Sequence, residues 1–333
     1  AVQGGDFVPT GISLARRAIL LVLFAAALWG PAAAADYPLR PIRAIINVSA
    51  GGTADVFART LGEELHRRIG QPLIIDPRPG GGFIVAGRAC AEAEPDGYTV
   101  CILSGETLVY NEFLFKKLPY DPRKDFAPIT NFFFNTQALV VSATLGVHNL
   151  PELAGLAKAK PGTLAYVAPS IPLGLFFEHF NRQNGTDLVR IPFKGGGEAV
   201  SGILSGTTPI AFFGLANFIE HLRGGTLAGL AADGAARSPL FPDIPTLREL
   251  GYTDEITRQY FGLVAPAATP APIIARLHDA IASIMHEPEF RQRNLIERGL
   301  EPIGDTPDAF ARFLAQDRVL SERVVREAGL QPQ

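Results

Sequence analysis

The chain has 333 residues, 47% of them hydrophobic and 19% charged, with a formal net charge of −3. That length suffices for two ordinary domains or one large one. The weak acidity argues against a nucleic-acid partner, which would want a basic face, but it sets no limit on small anions, which are held by local dipoles.

Arg16 and Arg17 precede an apolar stretch over 18–28, and Ala32, Ala33, Ala34 and Ala35 follow. Basic, then hydrophobic, then small is the order of a secretory signal peptide, so residues 1–35 are expected to be cut away near Ala35–Asp36. The apolar stretch falls short of the roughly 20 residues that span a bilayer; an uncleaved anchor is the alternative. The leader holds Arg16, Arg17 and Asp6, a net +1, which leaves −4 on the remaining 298 residues. An exported protein meets no ATP and no reduced nicotinamide pool, which removes most enzyme readings.

After the leader, short β-rich runs alternate with amphipathic stretches. The nearly continuous apolar run 42–48 reads as a buried strand. Phe57, Leu61, Leu65 and Ile69 recur every four residues and Gly70 stops that helix. Further strands are expected at 73–75, 98–103, 139–141, 164–168, 188–191, 210–213 and 227–231, with helices between them, for example at 173–180 and 197–204. This alternation implies parallel sheet covered on both faces. The last quarter differs: 270–285, 288–297 and 307–328 read as helices joined by Pro and Gly turns. Two α/β domains fit, with crossings near 135–138 and 259–262. The domain division is 36–136 with 260–333, and 137–259.

Cys90 stands near the end of an expected helix and Cys101 in the next strand. In an oxidising compartment they could pair and staple the helix to the strand; two buried thiols are the alternative. No redox motif or zinc pattern surrounds them.

Several loops could hold a ligand. Ser49-Ala50-Gly51-Gly52-Thr53-Ala54-Asp55 follows the first strand and opens the first helix. Its glycines let backbone approach a bound group, and the free N–H groups of the helix start favour an anion. Thr53 offers a hydroxyl. Asp55 suits the helix dipole and is expected to brace its own loop, since a carboxylate facing a carboxylate is costly. Pro79-Gly80-Gly81-Gly82 opens a second helix near Phe83 but lacks dinucleotide spacing, and reads better as a packing loop. Ser104-Gly105-Glu106-Thr107 ends the third strand, beside the first loop, where doubly wound sheets bind ligands. Ala168-Pro169-Ser170 and Phe193-Lys194-Gly195-Gly196-Gly197 would form an opposing jaw, although a lone Lys194 is more often solvated. There is no Walker A sequence, no G-x-S-x-G elbow and no close histidine pair of the zinc-binding kind.

These pieces resemble the tripartite tricarboxylate transporter substrate-binding proteins, the Bug family of extracytoplasmic solute receptors. The resemblance is carried by Tyr37-Pro38 with Pro41-Ile42, by 50–55 with Ala58-Arg59, and by Gly70-Gln71-Pro72 and Arg78-Pro79-Gly80. It continues through Pro95-Asp96-Gly97-Tyr98-Thr99, Leu118-Pro119-Tyr120-Asp121-Pro122 and Lys124-Asp125-Phe126. Pro192-Phe193-Lys194-Gly195-Gly196, Arg237-Ser238-Pro239, Pro242-Asp243-Ile244-Pro245-Thr246 and Phe261-Gly262-Leu263 complete it. The pieces occur in order across nearly all of the mature chain.

The resemblance implies a periplasmic, two-domain α/β binding protein of the Venus-flytrap type, each domain a doubly wound sheet flanked by helices. It implies a monomer without cofactor or catalysis, closing on a small carboxylate and delivering it to a two-subunit membrane transporter. A sensing role beside a membrane kinase, and an exported hydrolase, are the alternatives. Together the loop readings and the resemblance point to Ala50, Gly51, Gly52, Thr53, Asp55, Ser104 and Thr107 as ligand positions on one side. Ala168, Pro169, Ser170, Lys194, Gly195, Gly196 and Phe213 are expected on the other.

The chain departs from the family pattern in three places. Asn47 stands near a usual proline. The stretch after Ala168 lacks the usual polar pair and histidine. Phe212-Phe213-Gly214-Leu215 replaces a stretch that often holds Asp or Asn. The second wall is therefore expected to be apolar, with the body of the ligand against Phe213.

Overall fold

The computed structural model describes residues 37–168, 170–191, 196–252 and 258–332. The expected leader, Pro169, Lys194 and Gly195 lie outside the described residues.

The described residues open with β1 (Ile42–Ile46), α1 (Thr53–Ile69), β2 (Leu73–Pro77) and α2 (Ile84–Ala91), the last entered through a tight turn at Gly81–Phe83. β3 (Thr99–Ser104) runs into a π-turn at Glu106–Tyr110 and the short α3 (Asn111–Leu114). The long β4 (Phe126–Asn135) follows. Next come β5 (Gln137–Ser142), α4 (Leu150–Ala159), β6 (Ala165–Val167), α5 (Ile171–Asn184), β7 (Val189–Arg190) and α6 (Gly196–Ser205). They lead to β8 (Ile210–Gly214), α7 (Ile219–Arg223) and β9 (Leu227–Ala232). The chain ends with β10 (Gln259–Pro266), α8 (Ala271–Met285), α9 (Pro288–Asn294), β11 (Leu300–Pro302) and α10 (Pro307–Glu327).

The strands form two sheets. The first has six strands in the order β11-β4-β10-β3-β1-β2, the second five in the order β7-β6-β8-β5-β9. The parallel expectation holds only in part. β1 is parallel to β2 and β3, and β6 to β7 and β8. β10 is antiparallel to both its neighbours, and so is β5. The cause is the path between the sheets. β4 ends at Asn135 and β5 begins at Gln137 in the other sheet, while β10 returns to the first sheet with Gln259 opposite Asn135. A strand that leaves and a strand that comes back must run in opposite directions.

Side-chain alternation explains the layers. Ile42, Ala44 and Ile46 of β1 face a core shared with Phe57, Leu61 and Leu65 of α1 and with α8. Ile45 faces the other side, where Cys90, Leu103, Tyr260 and Phe310 pack. Phe57 meets Phe132 and Phe133 edge-on, with ring centroids 5.0 and 4.9 Å apart. Gly70, at φ 72°, takes the left-handed conformation that ends α1, and its N–H reaches the His66 carbonyl. A third core, built from Phe176, Phe177, Phe180 and Phe212 among others, lies around the second sheet. Cys90 and Cys101 form a disulfide between α2 and β3. No helix among the described residues is long and apolar enough to cross a membrane.

Candidate ligand-binding cavity

A cavity of about 460 Å³ opens where the ends of β1 and β3, the start of β10 and the start of α5 meet. One wall is the first turn of α1, with Gly52, Thr53 and Ala54. That helix runs for 17 residues, so its first backbone N–H groups, which lack intrahelical acceptors, carry a substantial positive dipole end. Ser104 and Glu106 come from the end of β3, and Asn135 and Gln259 from the crossing between the sheets. Ser170 and Pro172 come from the other sheet's side. Val48, Phe83, Leu114, Phe115 and Phe261 make most of the remaining surface apolar.

The first loop is held from within. Asp55 is 2% exposed and its Oδ2 accepts from the Gly51 N–H at 2.9 Å. Arg59 donates Nε to Oδ2 and Nη2 to Oδ1, both at 3.0 Å. Burial alone would raise the Asp55 carboxyl, but the bonds from Arg59 and Gly51 outweigh it and hold it below its ordinary range. The carboxylate is thus engaged with its own loop and does not line the cavity. We expect Asp55→Asn to lower the melting temperature clearly while leaving the order of ligand preference unchanged. A folded value below the unfolded one means the contribution is complete above the ordinary carboxylate range and fades as pH falls through the folded value. The variant should therefore lose part of the wild type's acid sensitivity. A variant that melts like wild type but reorders its ligands would overturn this assignment.

Beneath that loop Asn47, fully buried, donates Nδ2 to Ser104 Oγ at 2.8 Å and to Thr107 Oγ1 at 2.9 Å. Thr107 Oγ1 in turn donates to the Phe83 carbonyl at 3.2 Å. Thr107 therefore props the wall, while Ser104 reaches the cavity. The second glycine turn does more than pack: Gly81, Gly82 and Phe83 all have positive φ, 68° at Phe83. This conformation is unusual for a bulky residue. It delivers Phe83 to the cavity, and the Gly82 carbonyl accepts from Asn111 Nδ2 at 2.9 Å.

On the far side, Ser170 caps α5 by accepting from the Leu173 N–H and also lines the cavity. Ala168 is buried at the end of β6, its carbonyl taken by Arg190 Nη2 at 2.8 Å. Gly196 opens α6. Ala50 and Gly51 are exposed in the loop before α1 but are not among the cavity's lining residues. Phe213 is 5% exposed and packs edge-on against Phe218, with centroids 4.4 Å apart. The apolar wall is supplied by Phe83, Phe115 and Phe261 rather than by Phe213.

Lining residues that sequence reasoning did not place in the site are Val48, Ala54, Gly82, Phe83, Glu106, Tyr110, Asn111, Leu114, Phe115, Asn135, Pro172, Gln259 and Phe261. Glu106 lay inside a loop singled out by its position, and Gln259 and Phe261 at an expected crossing. Behind Glu106, Tyr260 donates Oη to Asp317 Oδ2 at 2.8 Å. Burial pushes the Asp317 carboxyl up to about 6; the Tyr260 bond opposes this and the charge of Glu106 adds to it.

Two mixed α/β sheets flanked by helices, with a cavity where their ends meet and a helix start aimed into it, define a two-domain periplasmic-type solute receptor. The model of the tripartite tricarboxylate transporter family receptor, TctC, matches residues 57–330, and the chain belongs to that family. It is 33% identical over 317 residues to a UPF0065 protein of Bordetella bronchiseptica, covering 95% of this chain and 94% of that one. Rhodopseudomonas palustris MatC with bound malate is a solved structure with TM-score 0.73 and 27% identity, covering 87% of this chain and all of that one. R. palustris Rpa4515 with adipate gives TM-score 0.79 and 26% identity over 89% of this chain and all of that one. Family and neighbours are receptors, and this chain is a solute receptor rather than an enzyme.

Proposed function

We propose that this protein captures a small carboxylate with an apolar body in the periplasm, by closure of its two domains, and hands it to membrane subunits of the tripartite tricarboxylate type. The domains are 36–136 with 260–333, and 137–259, and residues 1–35 are the export leader. The carrying observation is the cavity itself, where the start of α1 meets a wall of Phe83, Phe115 and Phe261. The helix start favours an anion. The rings favour burial of apolar surface, worth about 25 cal/mol per Å². Malate and adipate in the two neighbouring structures support the carboxylate class. The two strands that cross between the sheets at Asn135 and Gln259 supply a narrow connection about which closure can occur.

The test is the melting temperature of the protein from Asp36 onward against di- and tricarboxylates, aromatic and aliphatic monoacids, and amides. A ligand that binds only the folded state raises the melting point by mass action. We expect the largest rise with an acid bearing an aromatic or long aliphatic body. Citrate or malate ahead of every hydrophobic acid would refute the apolar body. No shift with any acid, together with no carboxylate released on denaturation by mass spectrometry, would refute the carboxylate reading.

A further inference from the structure

Glu106 is the charged residue among the cavity's described lining residues. It accepts one hydrogen bond, from Gln259 Nε2 at 3.3 Å, and forms no ion pair among the described residues. The Gln259 amide is oriented from behind: its Oε1 accepts from Gln137 Nε2 at 3.5 Å, and Gln137 Nε2 also donates to the Asn135 carbonyl. Gln137 is anchored through its backbone N–H to Asp233 Oδ1 at 2.7 Å. Asn135 stands opposite Gln259 across the strand pair and also lines the cavity. This side of the cavity therefore presents the Glu106 carboxylate with acceptor capacity left over, whereas the start of α1 presents donors.

We propose that Glu106 sets the selectivity of the cavity, favouring carboxylates that also carry an amide, hydroxyl or ammonium donor and rejecting a second carboxylate. This rests on the cavity being the ligand site. A second carboxylate would meet Glu106 between aromatic walls, where two like charges repel at close range. A donor instead satisfies an acceptor that would otherwise be left unpaired when the ligand displaces water. Rejection and attraction act together, which is how specific sites discriminate.

The test is titration calorimetry with a length-matched series: adipate, adipic monoamide, 6-aminohexanoate and hexanoate. The monoamide has the same number of heavy atoms as adipate, so their ratio isolates the donor. Wild type is expected to bind the monoamide or the amino acid about tenfold or more tighter than adipate. Glu106→Gln is expected to bring adipate level with the monoamide and to weaken 6-aminohexanoate. Adipate binding as tightly as the monoamide in wild type overturns the proposal without any variant. A preference that persists unchanged in Glu106→Gln overturns the role of Glu106. In both cases binding of the acids leaves the carboxylate-receptor reading standing. Silence from this series and from aromatic monoacids alike would bring down both.

Discussion

Gly262→Ala is expected to cost about 2–3 kcal/mol of stability, and Phe310→Ala about 3–5 kcal/mol, yet the two together should cost less than Phe310→Ala alone. Gly262 lies in the middle of β10, paired with Leu103 of β3 on one side and Asn131 of β4 on the other. A β-carbon there would sit 2.1 Å from Phe310 Cζ and 2.6 Å from its Cε1. The strand cannot back away freely, because β10 is held between β3 and β4, with a register irregularity to β4 beside Gly262. The ring cannot back away easily either. It is fully buried near the start of α10, beside Tyr260 and Phe313. A methyl group added at Gly262 must therefore push the helix off the sheet. With the Phe310 ring removed, the same methyl enters the void and recovers some of the lost packing. Chemical denaturation of the two single variants and the double variant measures the coupling. An equal cost for Gly262→Ala in both backgrounds would mean that ring and strand do not restrain each other. β10 also carries Gln259 and Phe261 into the cavity, so Gly262→Ala should weaken ligand binding as well.

The elements that could be read from sequence were those with one strong local signal. α1 has a four-residue apolar repeat and a terminal glycine; β1 is an unbroken apolar run. β4 and β10 were hidden for a physical reason. Pro128 interrupts one, Gly262 the other, and neither alternates cleanly, because both faces of this central pair are buried. Missing them left the sheets looking wholly parallel. The cavity divides in the same way. Glycine-rich helix starts announce themselves by composition, so Gly52 and Thr53 could be identified. Phe83, Phe115 and Phe261 come from three distant segments, and an isolated phenylalanine in a sequence reads as core. Only the folded chain brings them to one wall. Asp55 shows how local chemistry can decide a role: a carboxylate four residues before Arg59 on a helix has a partner within reach before any ligand arrives.

Removing the disulfide should be nearly as costly as losing the Phe310 ring. Cys90 and Cys101 are 11 residues apart in sequence and both are fully buried. Closing a loop of that length restricts the unfolded chain by about 3 kcal/mol in the chain-entropy account. Cys90→Ala with Cys101→Ala is expected to lose about that much, with no free thiol left to confuse the measurement. The position of the bridge adds a functional consequence. It ties α2 to β3; the turn into α2 presents Gly82 and Phe83 to the cavity, while the end of β3 presents Ser104 and Glu106. A loosened α2 would let one wall drift against the other. Ligand affinity should therefore fall in the paired variant more than it does in Asp55→Asn, although neither cysteine touches the cavity. The wild-type protein should show the same loss of melting temperature in a strong reductant and recover on reoxidation. If the variant melts with wild type and reductant leaves both unchanged, the bridge neither stabilises the fold nor holds the two walls together.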